Sequence, residues 1–476
     1  MNSCACGMSW VKFGLLAALA AGGALGGLYL SGGLTTSDLP PSCPGNPPSP
    51  TPLVPSELHR IPLSSLDVKD TLEAPELVSN CCGKLSLAWA SKTSETERTV
   101  FYTRSIDGKA FDEPRAISKG GIYKTAARGK MSGHERRAVP HLAAMGPEVL
   151  LTWSEALADG SGMRMVLATS TDTGATFGVP QTVHSGERAN PTFTAFARGL
   201  GGVLACAWLD DRAGNQQVFA SVRPLDAEVF NPERLVQSGQ EGKGVCPCCP
   251  TAARFAADGT LYVAFRNINE GYRDIAVSRL RPGQSKFEGP FPVVEKIWKF
   301  DGCPHDGPSI AIIGDTMHVA WMDAHTGPQR CYIAKAKLAD MKFESRELNA
   351  AGLGTQGNAK LFGDDSDNLH AVWEESVGAE PVADAHAGHQ HGAPIVGGTG
   401  GRAIQYAMMP AGQSAFGAVR AIAPKTGAFQ TRPSIAVTPK GIVFVAWNEL
   451  DTTGKAIVVS RVSPPTEAAC CEEARP

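Results

Sequence analysis

One pattern of apolar and polar positions recurs along most of this chain. A short apolar run ending in an aromatic residue occurs seven times: LSLAW to Trp89, VLLTW to Trp153, LACAW to Trp208, LYVAF to Phe265, MHVAW to Trp321, LHAVW to Trp373 and VFVAW to Trp447. Successive aromatics lie 52 to 74 residues apart. Another apolar run precedes each, and six of these seven open at a proline: Pro75, Pro140, Pro191, Pro250, Pro308 and Pro433. A polar loop and a third run follow, such as RTVFYTRS, MVLATS, DIAVSR or AIVVSR. In six units a turn and a phenylalanine then lead into a short fourth run, at Phe111, Phe177, Phe230, Phe287, Phe343 and Phe416. Short apolar runs bounded by turn residues read as strands rather than helices. Four strands per unit, repeated seven times, predict an all-β fold: a β-propeller of four-stranded blades spanning residues 57–465. Six blades with an accessory sheet is the alternative count.

The last unit lacks its closing phenylalanine and a fourth run. A strand-like segment at residues 57–63 precedes the first unit, and pairing it into blade seven would close the ring and remove two exposed sheet edges. The expectation is therefore closure by an N-terminal strand.

Composition agrees. Glycine (52) and proline (34) together make about 18% of the 476 residues, against roughly 12% in average chains. That excess suits many short elements joined by turns and excludes long helices. Net charge is −3 with basic and acidic residues mixed, so the basic face that nucleic-acid binding requires is missing. The N-terminus differs. Residues 1–12, with Lys12, precede an uncharged run at 13–31, and residues 32–56 are rich in proline. This reads as a cytoplasmic end, a membrane anchor or signal peptide, and a stiff spacer, with the body exported to the periplasm or cell exterior.

The turns between third and fourth runs carry a motif. Ser170, Asp172, Gly174 and Phe177 fit S-x-D-x-G-x-x-F, and Ser105, Asp107, Gly108 and Phe111 form a shorter version. The aspartate can accept backbone N–H bonds across the turn and the glycine permits a positive φ. This resembles the Asp-box of the sialidase (BNR-repeat) superfamily, in particular exported sialidase-like proteins carrying a CxCC motif. The resemblance implies glycoside hydrolysis with three arginines on a substrate carboxylate, a tyrosine–glutamate nucleophile pair and an aspartate acid/base. Arg60-Ile61-Pro62 carries the letters of the family's first arginine motif but sits in the closing strand. Glu270, Tyr272 and Asp211 are the catalytic candidates under this reading. Arg137, Arg212, Arg266, Arg273 and Arg432 are the ligand-binding candidates, since guanidinium binds carboxylate bidentately.

Cysteine placement is more distinctive than the arginines. Cys246-Pro247-Cys248-Cys249 enters blade four, and Cys303-Pro304-His305 enters blade five. Adjacent entries should converge, either as disulfides or as a thiolate metal site. Cys81 and Cys82, in a turn of blade one, and Cys470 and Cys471, in the 466–476 tail, are candidates for disulfides that staple the ring shut. His386, His389 and His391 lie on a Gly/Ala-rich insertion in blade six, where with His305 they could take Cu²⁺ or Zn²⁺. Three functions compete. The first is a ligand- or metal-binding ectodomain at the envelope. The second is a sialidase-type hydrolase of anionic glycans, and the third is a scaffold for envelope proteins.

Overall fold

A computed structural model of the chain describes residues 58–63, 74–124, 135, 139–185, 189–377 and 400–462. Seven four-stranded antiparallel units are present. Blade one is built from Glu76–Ser79, Leu85–Lys92, Glu97–Ser105 and Arg115–Gly121. Blades two to six occupy residues 141–182, 192–237, 252–292, 309–347 and 356–422. Blade seven takes its three inner strands from residues 429–462 and its outer strand from Leu58–Pro62, which pairs antiparallel with Gly454–Val462. A single parallel bridge, Arg402 to Phe429, joins the sheets of blades six and seven. The first strand of each blade lies beside the first strand of the next, and that of blade seven returns to that of blade one. The ring is closed as expected, with seven blades and an N-terminal strand.

Burial explains why the repeat was visible. Second strands are covered on both faces by neighbouring blades, and Leu204–Asp210 and Val443–Asp451 are buried at every position. Strands of this kind must be continuously apolar rather than alternating. Fourth strands form the rim, are short and are largely exposed, as in Glu344–Glu347. Among the described residues helix is limited to two short 3-10 turns, Leu200–Gly202 and Gln240–Gly242, and no helix is long and apolar enough to cross a membrane.

One proline departs from its expected place. Pro433 lies within the first strand of blade seven, Phe429–Val437, at a register shift between Thr431 and Ser434. A bulge leaves one residue unpaired, so a missing N–H costs no ladder bond there.

The Asp-box turns behave as structural pins. Asp172 accepts bonds from the Thr176 backbone N–H and hydroxyl and from Ser170 Oγ, and Ser170 Oγ accepts the Gly174 N–H. These donors, the Thr176 hydroxyl foremost, hold the Asp172 carboxyl well below its ordinary range. Gly174 has φ +73°, and a Cβ there would lie 2.0 Å from the Tyr102 hydroxyl oxygen of blade one. Phe177 packs edge-on against the same ring at 5.0 Å. The turn of one blade is thus locked onto the sheet of its predecessor.

Candidate thiolate metal centre

Antiparallel connectivity puts the loops after second strands and the connections between blades on one face, opposite the Asp-box turns. Several carboxylates of that face have a structural task. Trp153, Trp208, Trp321, Trp373 and Trp447 each donate their indole N–H to the acid two residues on, namely Glu155, Asp210, Asp323, Glu375 and Glu449, at 2.7–3.4 Å. Residues i and i+2 of a strand share a face, so W-x-[D/E] forms a local clamp. The same acids take further bonds: Gln356 and Gln430 of neighbouring strands donate to Glu375 and Glu449, and Arg212 of the following loop donates to Asp210. The motif is readable in the chain as an acid two residues after the aromatic of the second strand.

Blade one keeps the tryptophan but has Ser91 in the acid's place, and blade four changes both positions. Phe265 replaces the tryptophan and Asn267 the acid, and Asn267 Oδ1 is buried with no hydrogen-bond partner. Against this strand lie the cysteines. The Cys246 N–H donates to Arg266 O at 3.0 Å, and Val245 bridges Asn267, which extends the second strand of blade four into the connector. Cys246, Cys248 and Cys249 are all buried, with Phe193, Ile268 and Cys303 packed around them. Cys246 Sγ lies 3.7 Å from Cys248 Sγ and 3.3 Å from Cys249 Sγ.

None of the four cluster cysteines, Cys246, Cys248, Cys249 and Cys303, is disulfide-bonded in this structure. A disulfide requires sulfurs about 2.05 Å apart. Two triads of metal-binding atoms result, Cys246/Cys248/Cys249 and Cys248/Cys303/His305, and within each triad all atoms lie within 4.8 Å of one another. Hydrogen bonds from Cys248 and Cys249, aided by the charges of Arg266 and Arg273, hold Cys246 well below the usual thiol range. Cys303 is lowered by its hydrogen bond with Cys248. The hydrogen bonds to its neighbours, that to Cys246 foremost, push Cys248 upward, and burial foremost pushes Cys249 upward. A soft cation would replace these shared protons, so the donor set fits a thiophilic metal.

The arginines around the cluster have other work. Arg266 is almost fully buried (1% exposed), and its guanidinium donates to the carbonyls of Asp306, Arg273 and Met322 while lying over Trp298 at 5.5 Å. It ties blades four and five together, with three of its five N–H donors committed to main-chain carbonyls. Arg212 is likewise held by Asp210 and Glu233, over the Phe219 ring. Arg60 pairs with Glu449 and Asp451 on the closing strand. Arg273 donates to Phe300 O and, at 3.8 Å, to Cys246 Sγ. Arg432 donates to His305 O at 3.3 Å.

Left-handed residues mark the same face. His305, Asn358 and Arg432, at the entries to blades five, six and seven, have φ of +54°, +51° and +57°. The Asn358 N–H donates to Asp306, its side chain donates to Glu374, and the Arg432 N–H donates to Glu374. Such backbone is costly for non-glycine residues and persists where surrounding bonds enforce it.

The remaining candidates are placed as follows. Glu270, at φ +52°, pairs with Lys296 on an exposed loop. Tyr272 packs under the Lys299 ammonium, 5.7 Å from the ring centroid. Asp211 accepts the Asn190 side-chain amide at 2.8 Å. Cys81 is disulfide-bonded and Cys82 does not take part in that bond. Arg137, His386, His389, His391, Cys470 and Cys471 lie outside the described residues, as do the N-terminal anchor and spacer.

No protein-family profile matches this chain, and no curated protein matches it in sequence. Among solved structures, it is similar to a protein of unknown function from Dyadobacter fermentans, at 13% identity over 86% of this chain and 99% of that one, with TM-score 0.45. It is similar to the α-L-arabinofuranosidase ARB93A from Fusarium graminearum at 11% identity, over 87% and 98% of the two chains, with TM-score 0.44. A mutant Trypanosoma rangeli sialidase with trans-sialidase activity matches at 10% identity over 71% of this chain and 56% of that one, with TM-score 0.41. Propeller glycosidases are thus among its structural neighbours, a likeness at the level of fold.

Proposed function

We propose that this chain is an exported β-propeller that holds a soft metal ion, Cu or Zn, in the cysteine cluster between blades four and five. The observation that carries the reading is the convergence of four thiols and an imidazole from two connectors that are 54 residues apart at Cys249 and Cys303. Two features support it. Cys81 of the same chain is disulfide-bonded, which suits an oxidising compartment, and a bound metal would keep thiols as close as those of Cys246, Cys248 and Cys249 from pairing there. The supporting shell is also in place, with Arg273 on Cys246 and backbone carbonyls on Arg266, and shells of this kind orient ligands and tune affinity. Hydrolysis of anionic glycans draws less support, because Arg60, Arg212 and Arg266 are already bonded within the protein.

The test is metal content. Full-length protein carrying His386→Ala, His389→Ala and His391→Ala, so that the insertion contributes nothing, is reduced, loaded anaerobically with Cu(I) or Zn(II), desalted and analysed by mass spectrometry. Retained metal that is lost with Cys248→Ser is the expected result. A chain that retains neither metal overturns the proposal.

A further inference from the structure

Resting on that reading, we infer that the centre is binuclear: two copper(I) ions bridged by the Cys248 thiolate, one completed by Cys246 and Cys249, the other by Cys303 and His305. The geometry points this way because the five donor atoms divide into two triads that share Cys248 alone. No set of four among them has all its atoms within 4.8 Å of one another. A single tetrahedral zinc with bonds of about 2.3 Å needs four ligand atoms all about 3.8 Å apart. Three donors suffice for copper(I), a soft d¹⁰ ion that thiolates select and that accepts trigonal coordination. The sulfur separations within the first triad, 3.3 and 3.7 Å from Cys246, suit three sulfurs around one such ion.

Charge balance gives a second argument. Two Cu⁺ ions and four thiolates leave a net charge of −2, and buried charge must be compensated locally. Arg273 donates to Cys246 Sγ, and the fully buried Arg266 is electrostatically coupled to Cys246 and Cys249. With both guanidiniums the site is neutral. Burial of the first triad also keeps water from the metal, while Cys303 and His305 are only partly buried, so the second ion occupies the more accessible position.

The experiment is an anaerobic Cu(I) titration of the full chain in the triple-histidine background described above, in competition with bicinchoninate. The expected result is two ions more for the parent than for Cys248→Ser, and one ion fewer for Cys303→Ser or Cys249→Ser than for the parent. X-ray absorption at the copper edge should show a Cu–Cu vector in the parent that disappears in Cys303→Ser. Cys303 is partly exposed on a connector, so that variant should match the parent's melting temperature when both are metal-free, and fall below it when both are loaded. One ion per cluster in the parent, or unchanged stoichiometry in Cys303→Ser, overturns the binuclear centre while leaving single-metal binding standing. Failure to retain any metal removes both.

Discussion

Glu76 offers a sharp test of the ring's electrostatics. It opens the first strand of blade one, facing the axis, with Lys360 of blade six and Arg254 of blade four as its charged neighbours. Burial raises its carboxyl from 4.5 to about 7, although both cations oppose the rise. A carboxyl with a higher pKa in the folded than in the unfolded state binds more protons when folded. Its contribution to stability therefore falls as pH rises through the window from 4.5 to 7. Glu76→Gln stays neutral throughout and escapes that loss. With folded and unfolded values of 7 and 4.5, linkage makes the variant more stable by about 1 kcal/mol at pH 5 and about 3 kcal/mol at pH 8. The figure at pH 8 is an upper bound, because Glu76 keeps some contact with solvent. The assay is urea unfolding of both proteins at pH 5, 6, 7 and 8, read as the change in their stability difference with pH. Any constant effect of the amide cancels in that reading. A difference independent of pH, or one that turns against the variant as pH rises, would refute the reasoning.

Two further outcomes follow from the clamps and the disulfide. Asp323→Ala leaves the buried indole N–H of Trp321 and the His325 N–H without their acceptor, and should lower stability by about 2–3 kcal/mol in the same unfolding assay. A loss below 0.5 kcal/mol would remove the clamp as a stabilising device. Cys81→Ser should lower the melting temperature by an amount corresponding to about 2–4 kcal/mol, whereas Cys82→Ser, outside that bond, should not; equal melting temperatures for Cys81→Ser and the parent would dismiss the staple.

How far the chain disclosed itself varied with the range of the interaction involved. The Asp-box at Ser170–Phe177 and the indole–acid clamp at Trp153 and Glu155 close within one strand or turn, so spacing is enough to recognise them. The fate of Arg266 is different. Its three carbonyl partners belong to residues 273, 306 and 322, and no local pattern distinguishes a guanidinium consumed that way from one that faces a ligand. Pro433 shows the same limit on a smaller scale, since the bulge that accepts it arises from pairing with the next strand.

By itself, then, the order of residues determined the number of blades, their four-strand content and the closing role of residues 58–62, because blade strands are covered on both faces and must be apolar at a fixed period. It also placed four cysteines and a histidine at two neighbouring blade entries. Only the tertiary structure decided how those donors divide, which arginines stay with the protein's own carbonyls and carboxylates, and that Cys248 is common to both triads. Those outcomes depend on distances between connectors set by the curvature of the ring, and curvature is a property of seven packed sheets rather than of any one repeat.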